Sequence, residues 1–157
     1  QWYIQTAKEL ERDAPIALHV RLGDYKNLSS MYGNPDPEYY ANAVRLITEK
    51  IGERPIWLFS DEPELAEAIV GNHVEIDRVI DPKASDRAIE HLNLLGKCQC
   101  IVCANSSFSW WGGFLSSQLV SSSIVVFPSP MFDSPEYQEP ENWIPADWVR
   151  LERRIGI

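Results

Sequence analysis

Short apolar runs alternate with helix-like segments along this chain, and this alternation constrains the fold more than any other feature. Five runs have the length and composition of strands: 14–20, 55–59, a part of 73–80, 101–104 and 123–127. Five helical segments lie between or before them. A last short strand is expected over 147–151. The pattern predicts a parallel sheet covered by helices on both faces, which is a Rossmann-like α/β domain. At 157 residues the chain suffices for one domain with a hydrophobic core.

The clearest strand–turn–helix unit runs from Ile101 to Leu115. Four small or apolar residues are followed by Asn105, Ser106 and Ser107, which are residue types that cap helix N-termini. Four apolar residues then recur at helical spacing: Phe108, Trp111, Leu115 and Leu119. Such a turn presents unpaired N–H groups and the positive end of a helix dipole, which suits phosphate or pyrophosphate. A well-capped core helix that binds nothing explains the same residues.

A second polar motif lies at the end of the first predicted strand. His19 and Arg21 are two residues apart and therefore share one face of that strand. Arg21 offers a planar fork of donors that matches two oxygens of a diphosphate. Asp24 follows within reach and is suited to orienting Arg21 or to acting as a base. A surface Arg–Asp ion pair beside a core histidine is the alternative, and the motif alone fits both.

Polar side chains follow four of the predicted strands at the point where each strand ends. They are His19, Arg21 and Asp24; Ser60 and Asp61; Asn105, Ser106 and Ser107; and Ser129. In open parallel sheets, ligands bind outside the carboxyl ends of the strands. This convergence favours a binding domain over a purely structural one.

Charge and cysteine usage exclude several classes of partner. The net charge of -9 argues against binding to nucleic acid or an anionic membrane. No run is long enough to span a membrane, and no signal peptide is evident. Cys98, Cys100 and Cys103 are expected to be reduced, buried thiols of a cytosolic protein. A metal site with His91 as the fourth ligand is the alternative, but the C-x-C-x-x-C spacing matches no standard zinc motif.

Four motifs together resemble one enzyme family. His19-x-Arg21-x-x-Asp24 and the segment 104–112 look like the corresponding motifs of the inverting α-1,2-fucosyltransferases, which are mostly bacterial. Segment 59–62 is similar to that family's strand-two motif, and 143–148 resembles its carboxyl-terminal ending. The His-x-Arg element is shared with α-1,6- and protein O-fucosyltransferases, whereas the Asn-Ser-Ser-Phe-Ser-Trp-Trp run is not.

The resemblance implies a galactoside α-1,2-fucosyltransferase of the GT-B type, with two Rossmann-like domains. Residues 1–157 match the carboxyl-terminal half, which holds GDP-fucose, and the acceptor-side domain is expected to lie outside this sequence. The implied reaction moves L-fucose, with inversion, to the 2-hydroxyl of a terminal galactose, and the isolated chain is expected to be inactive. The implied location is the cytoplasm, at the inner face of a bacterial membrane through the full-length protein.

The resemblance also implies roles for individual residues. Arg21 would hold the pyrophosphate and His19 would contact the nucleotide. Asp61 would contact ribose or guanine, and Asp24 is the candidate general base. Ser106 and Ser107 would complete the phosphate site, and Asn105 is a further candidate binding residue.

Two positions depart from the family pattern. Leu22 stands where many relatives carry a second basic residue. His91, with Glu90 beside it, stands where many carry an acid that reads the guanine edge.

Motif absences complete the expectation. The sequence has no Gly-x-Gly-x-x-Gly and no Asp-x-Asp, so neither a dinucleotide cofactor nor a metal-held diphosphate is expected. A protein cation would then stabilise the leaving GDP. Two alternatives stay open: a nucleotide-sugar binding module without turnover, and a fucosyltransferase of other linkage, such as α-1,6.

Overall fold

The computed structural model describes residues 1–23, 29–33, 36–137 and 142–154. Within these residues six helices are α1 (Trp2–Asp13), α2 (Ser29–Tyr32), α3 (Pro37–Ile51), α4 (Pro63–Val70), α5 (Ala88–Lys97) and α6 (Ser107–Leu119). Six strands are β1 (Ile16–Val20), β2 (Ile56–Ser60), β3 (Arg78–Ile80), β4 (Cys100–Val102), β5 (Ile124–Ser129) and β6 (Val149–Glu152). No helix in these parts of the chain is long and apolar enough to cross a membrane.

The six strands form one parallel sheet in the order β3-β2-β1-β4-β5-β6. The chain runs outward from β1 to β3, then returns to pair β4 with the other side of β1. The order therefore reverses between β1 and β4, and ligands of doubly wound sheets bind at such a point. The prediction of a Rossmann-like sheet is confirmed, including its short last strand.

Each face of the sheet carries its own apolar core. On one face, Ile16, Leu18 and Val20 pack with residues of α3 and α4. On the other face, Ala17 and Phe59 pack with residues of α1, α5 and α6. Because side chains alternate along a strand, His19 lies on the same face as Ala17 and meets α6.

The fully buried residues of helix α6 are small ones, while Phe108, Trp110 and Phe114 pack against the core partly buried. Its buried residues are Ser109, Gly112, Gly113 and Ser116. Trp111 and Leu119 of the apolar helical repeat are 53% and 70% exposed. A Cβ on Gly113 would lie 2.8 Å from Val125 Cγ1, so the helix approaches β5 more closely than a larger residue allows. This close approach brings Ser109 to the end of β1.

Candidate functional site

A cavity of about 510 Å³ opens at the carboxyl ends of β1, β2 and β3. The apolar residues that line it are Phe59, Ile80, Pro82, Ala88 and Phe108. The polar residues that line it are His19, Arg21, Ser60, Asp61, Lys83, Ser85, Asp86 and His91. The volume and the mixture of apolar surface with a few polar groups suit a ligand of nucleotide size.

His19 forms part of the inner wall of this cavity. It is 4% exposed, and its Nδ1 lies 2.7 Å from the Ser109 Oγ. Its ring stacks on Phe108, with centroids 5.6 Å apart. Burial lowers the pKa of His19 from 6.5 to about 4, although the charge of Asp61 opposes that shift. His19 is therefore neutral at physiological pH.

Arg21 stands beside Asp61, where its side chain is 29% exposed. Arg21 Nη1 lies 3.1 Å from Asp61 Oδ2. The same carboxylate accepts the N–H groups of Leu22 and Gly23, at 3.0 and 2.9 Å. The acid that orients Arg21 among the described residues is thus Asp61; Asp24, the sequence candidate for that role and for the base, lies outside them.

Gly23 gives the Asp61 carboxylate room at the end of β1. A Cβ at this residue would lie 2.5 Å from Asp61 Oδ2. The absence of a side chain therefore lets the Asp61 carboxylate reach the backbone after β1. Asp61 joins the ends of β1 and β2 through contacts 38 and 39 residues apart in sequence, and its predicted contact with ribose or guanine stays a prediction.

The turn after β4 does not line this cavity, and two of its side chains bond to the protein itself. Asn105 Nδ2 donates to the carbonyl oxygens of Tyr32 and Met131, at 2.7 and 3.1 Å. Ser106 is the N-cap of α6, and its Oγ accepts the N–H of Phe108 at 3.2 Å. Ser107, the first residue of the helix, is exposed. The predicted cap is confirmed, and the predicted ligand contacts of these three residues stay predictions.

At the family's acid position, His91 lines the cavity and Glu90 does not. The His91 ring lies 4.9 Å from that of Trp2, and its Nε2 is buried with no hydrogen-bond partner in the structure. His91 Nε2 is therefore a buried polar atom that no described residue hydrogen-bonds.

The three cysteines are buried and unpaired, as predicted. Burial raises the pKa of Cys100 to about 11 and those of Cys98 and Cys103 further. Across the described ranges, no three His, Cys, Asp or Glu residues come together in a group that could hold a metal ion. The alternative in which these cysteines and His91 form a metal site has no support.

Ser109 and Phe108 are site residues that sequence reasoning missed, as are Lys83, Ser85 and Asp86 of the cavity lining. Ser109 and Phe108 both contact His19, from about 90 residues further along the chain. The only local signal was their place in the strand–turn–helix unit, which directed attention to the three residues before them. Together, a cation held by an acid, a neutral imidazole and apolar lining residues suit a ligand that has a flat ring and an anionic group.

Comparison with known proteins agrees with this chemistry. The family model described as Glycosyl transferase family 11 matches residues 7–152. An O-antigen biosynthesis glycosyltransferase of Escherichia coli, WbnK, is 35% identical over 115 residues, covering 71% of this chain and 37% of that protein. An alpha-1,2-colitosyltransferase of Escherichia coli is 28% identical over 120 residues, covering 73% and 40%. The chain thus spans about two-fifths of the length of the curated relatives it matches.

Proposed function

The chain belongs to glycosyl transferase family 11, and on that premise we propose that it is the donor-binding half of a galactoside α-1,2-fucosyltransferase. The complete enzyme would move L-fucose from GDP-fucose to the 2-hydroxyl of a terminal galactose, with inversion. The observation that carries the proposal is the cavity lined by both His19 and Arg21, at the carboxyl ends of the strands. Membership of the family supports it, as does the Rossmann-like sheet, since ligands of such sheets bind outside the carboxyl ends of the strands.

We assign the charged and the apolar lining residues of the cavity to different parts of GDP. Arg21 would bind the diphosphate, since its guanidinium donates to two oxygens at once and Asp61 fixes its position. His19 would donate a further hydrogen bond to the nucleotide. The guanine ring would lie against apolar lining residues such as Phe59 and Ile80, with His91 also lining the cavity.

In the proposed reaction the acceptor O2 attacks the anomeric carbon of fucose from the face opposite the diphosphate. The bond from that carbon to the diphosphate oxygen breaks, and the electron pair leaves with GDP. Arg21 would stabilise the negative charge that develops on the leaving diphosphate. A carboxylate would take the proton from O2; Asp24 is the candidate on this chain, and the acceptor-side domain is the other source.

We propose that the protein cation makes a divalent metal unnecessary. Transfer by the complete protein in EDTA tests this, and activity that requires added Mg²⁺ or Mn²⁺ would contradict it. A cytoplasmic location at the inner face of a bacterial membrane is proposed on the same footing, and cell fractionation of the full-length protein tests it.

A second candidate differs only in the sugar transferred. One relative is named for colitosyl transfer, so GDP-colitose is the alternative donor. In this candidate Arg21 and His19 keep their roles, because those residues would contact the nucleotide. Parallel transfer assays with GDP-fucose and GDP-colitose, followed by linkage analysis of the product, separate the two donors and also test the α-1,2 linkage.

Titration calorimetry with GDP, GDP-fucose, UDP and ADP tests the donor class directly. We expect GDP and GDP-fucose to bind and UDP and ADP to bind at least about tenfold more weakly, the equivalent of one or two lost hydrogen bonds. Equal affinity for all four would leave a diphosphate site without base recognition. No binding of any of them would refute the proposed function.

A further inference from the structure

Ser109 and His19 form a buried pair in which the proposed reaction gives no role to Ser109. Ser109 is fully buried on α6, and His19 is nearly so on β1. The Ser109 Oγ accepts the Ala104 N–H at 2.9 Å and lies 2.7 Å from His19 Nδ1. Both distances are typical of hydrogen bonds.

The hydroxyl hydrogen of Ser109 settles the direction of the second bond. The Ala104 N–H donates to the Ser109 oxygen, so the hydroxyl hydrogen is still free to donate to an acceptor. His19 Nδ1 is the strong acceptor within reach of it, whereas the Cys103 sulfur, which the Ser109 side chain also contacts, is a weak one. If Nδ1 carried a hydrogen and donated instead, the fully buried O–H would be left with the weak sulfur acceptor alone, which is unfavourable. Ser109 therefore donates to an unprotonated Nδ1.

The hydrogen of the neutral imidazole must then sit on Nε2. Among the described residues His19 Nε2 has no hydrogen-bond partner. It is nevertheless accessible to solvent, unlike the unpartnered Nε2 of His91, which is buried. Since His19 lines the cavity, the Nε2–H opens onto it. The charged groups that face the ring are Asp61 and Arg21.

We propose that Ser109 is a positioning residue that locks His19 as an Nε2–H donor toward a diphosphate oxygen of the sugar nucleotide. The proposal rests on the proposed function for its ligand, and on the pair itself for its geometry. At neutral pH the bridging and terminal oxygens of a diphosphate accept hydrogen bonds. The other tautomer would present an Nε2 lone pair to those oxygens and repel them.

Nitrogen NMR of the imidazole rings tests the tautomer without any ligand. The chain has three histidines, so the spectrum of ¹⁵N-labelled protein is simple, and His19→Gln assigns the signal of interest. At pH 7 we expect a neutral His19 with hydrogen on Nε2. A signal from a protonated ring, or from the Nδ1–H tautomer, would overturn the proposal even if GDP binds.

Ser109→Ala tests the consequence, and Ser116→Ala is its matched control. Ser116 is an equally buried serine of α6, but its hydroxyl donates to the Cys98 carbonyl oxygen at 2.6 Å, away from the cavity. We expect Ser109→Ala to mix the two His19 tautomers and to weaken GDP binding by the inverse of the fraction that keeps hydrogen on Nε2, about twofold for an equal mixture, while guanosine affinity stays unchanged. Ser116→Ala should alter stability and leave the tautomer and both affinities as they are.

The outcomes separate this proposal from the proposed function. A wild-type protein with the expected tautomer and no affinity for GDP refutes the proposed ligand and leaves the Ser109 lock standing. GDP binding that is unchanged in Ser109→Ala, with His19 still hydrogenated on Nε2, refutes the lock. Should Ser109→Ala fail to fold, Ser109→Cys keeps the size of the side chain with a much weaker donor, and the same two readouts apply.

Discussion

Two neighbouring parallel strands, β1 and β4, each end in a polar cluster, and the two clusters use their side chains differently. After β1, His19 and Arg21 line a cavity. After β4, the Asn105 amide bonds to two loop carbonyls and Ser106 caps α6. Polar residues at the carboxyl edge of a sheet therefore do not mark ligand contacts by type alone. What distinguishes them is whether the side chains line the cavity, since both clusters also bond to the protein.

If this contrast is right, changes after β1 should alter ligand binding and pH behaviour, whereas changes after β4 should mainly alter stability. The largest expected effect concerns the pH dependence of unfolding. Burial holds the pKa of folded His19 near 4, against 6.5 for the free side chain. As the pH falls from 6.5 to 4, His19 binds a proton in the unfolded chain but not in the folded one. The contribution of neutral His19 to the free energy of unfolding is therefore fully present above pH 6.5, and about 3 kcal/mol of it is lost as the pH falls to 4.

Urea unfolding at pH 7 and pH 4.5 measures this loss. Between these two pH values His19→Gln should lose less unfolding free energy than wild type, because glutamine does not titrate. Asn105→Ala, on the other cluster, should retain the full pH dependence of wild type. An identical pH dependence in wild type and His19→Gln would show that His19 is not held neutral.

Arg21→Lys is the next largest expected effect. Lysine keeps the charge but loses the two-pronged geometry, and a charge-assisted hydrogen bond contributes roughly 1.5–3 kcal/mol, so GDP affinity should fall at least about tenfold. The fold should survive because the side chain is partly exposed. Arg12→Lys is the matched control, since Arg12 pairs with Asp13 on the surface away from the cavity. Unchanged GDP affinity in Arg21→Lys would contradict the proposal that Arg21 binds the diphosphate.

Asn105→Ala tests the β4 cluster. The change leaves the carbonyl oxygens of Tyr32 and Met131 without this donor, so the free energy of unfolding should fall by about 1–2 kcal/mol. The intrinsic affinity for GDP should change by less than about threefold, below the worth of one hydrogen bond. Denaturation and calorimetry on the same sample measure both. A tenfold loss of GDP affinity with stability intact would place Asn105 in the ligand site and erase the contrast.

The smallest effect is expected for Ser107→Ala. Ser107 is exposed at the first turn of α6, where a hydroxyl can add one bond to a phosphate. We expect a loss of about 0.5 kcal/mol in GDP affinity and no change in unfolding. Competitive displacement of a fluorescent GDP analogue resolves a difference of this size. A complete loss of binding would mean that the turn after β4, and not the end of β1, carries the diphosphate.

The sequence predicted those parts of the site that follow from local periodicity. His19 and Arg21 share a strand face because side chains alternate along β1, and the structure places both beside the cavity. The parallel sheet followed from the alternation of apolar runs with helices. Asp61 and Ser109 could not be paired with this motif in the same way, since their contacts join residues 38 to 90 positions apart.

Helix α6 shows a second limit of sequence reasoning. Periodicity favours its large apolar residues as the buried face, but the structure buries its glycines and serines. The cause is close packing against α5, where a Cβ on Gly112 would lie 3.0 Å from the Leu95 Cβ and one on Gly96 would lie 2.7 Å from the Leu115 Cβ. A hydrophobicity pattern carries no information about how closely two helix backbones approach.

The central claim is that this chain holds the nucleotide-sugar donor while the acceptor is held elsewhere. A GDP titration and a transfer assay with GDP-fucose and lactose, run on one sample of these 157 residues, test it most directly. The account predicts measurable GDP binding and no transfer, because positioning the acceptor hydroxyl can be worth about 7–11 kcal/mol of the barrier. Robust transfer by the chain alone would contradict it, since the acceptor site would then lie within these residues.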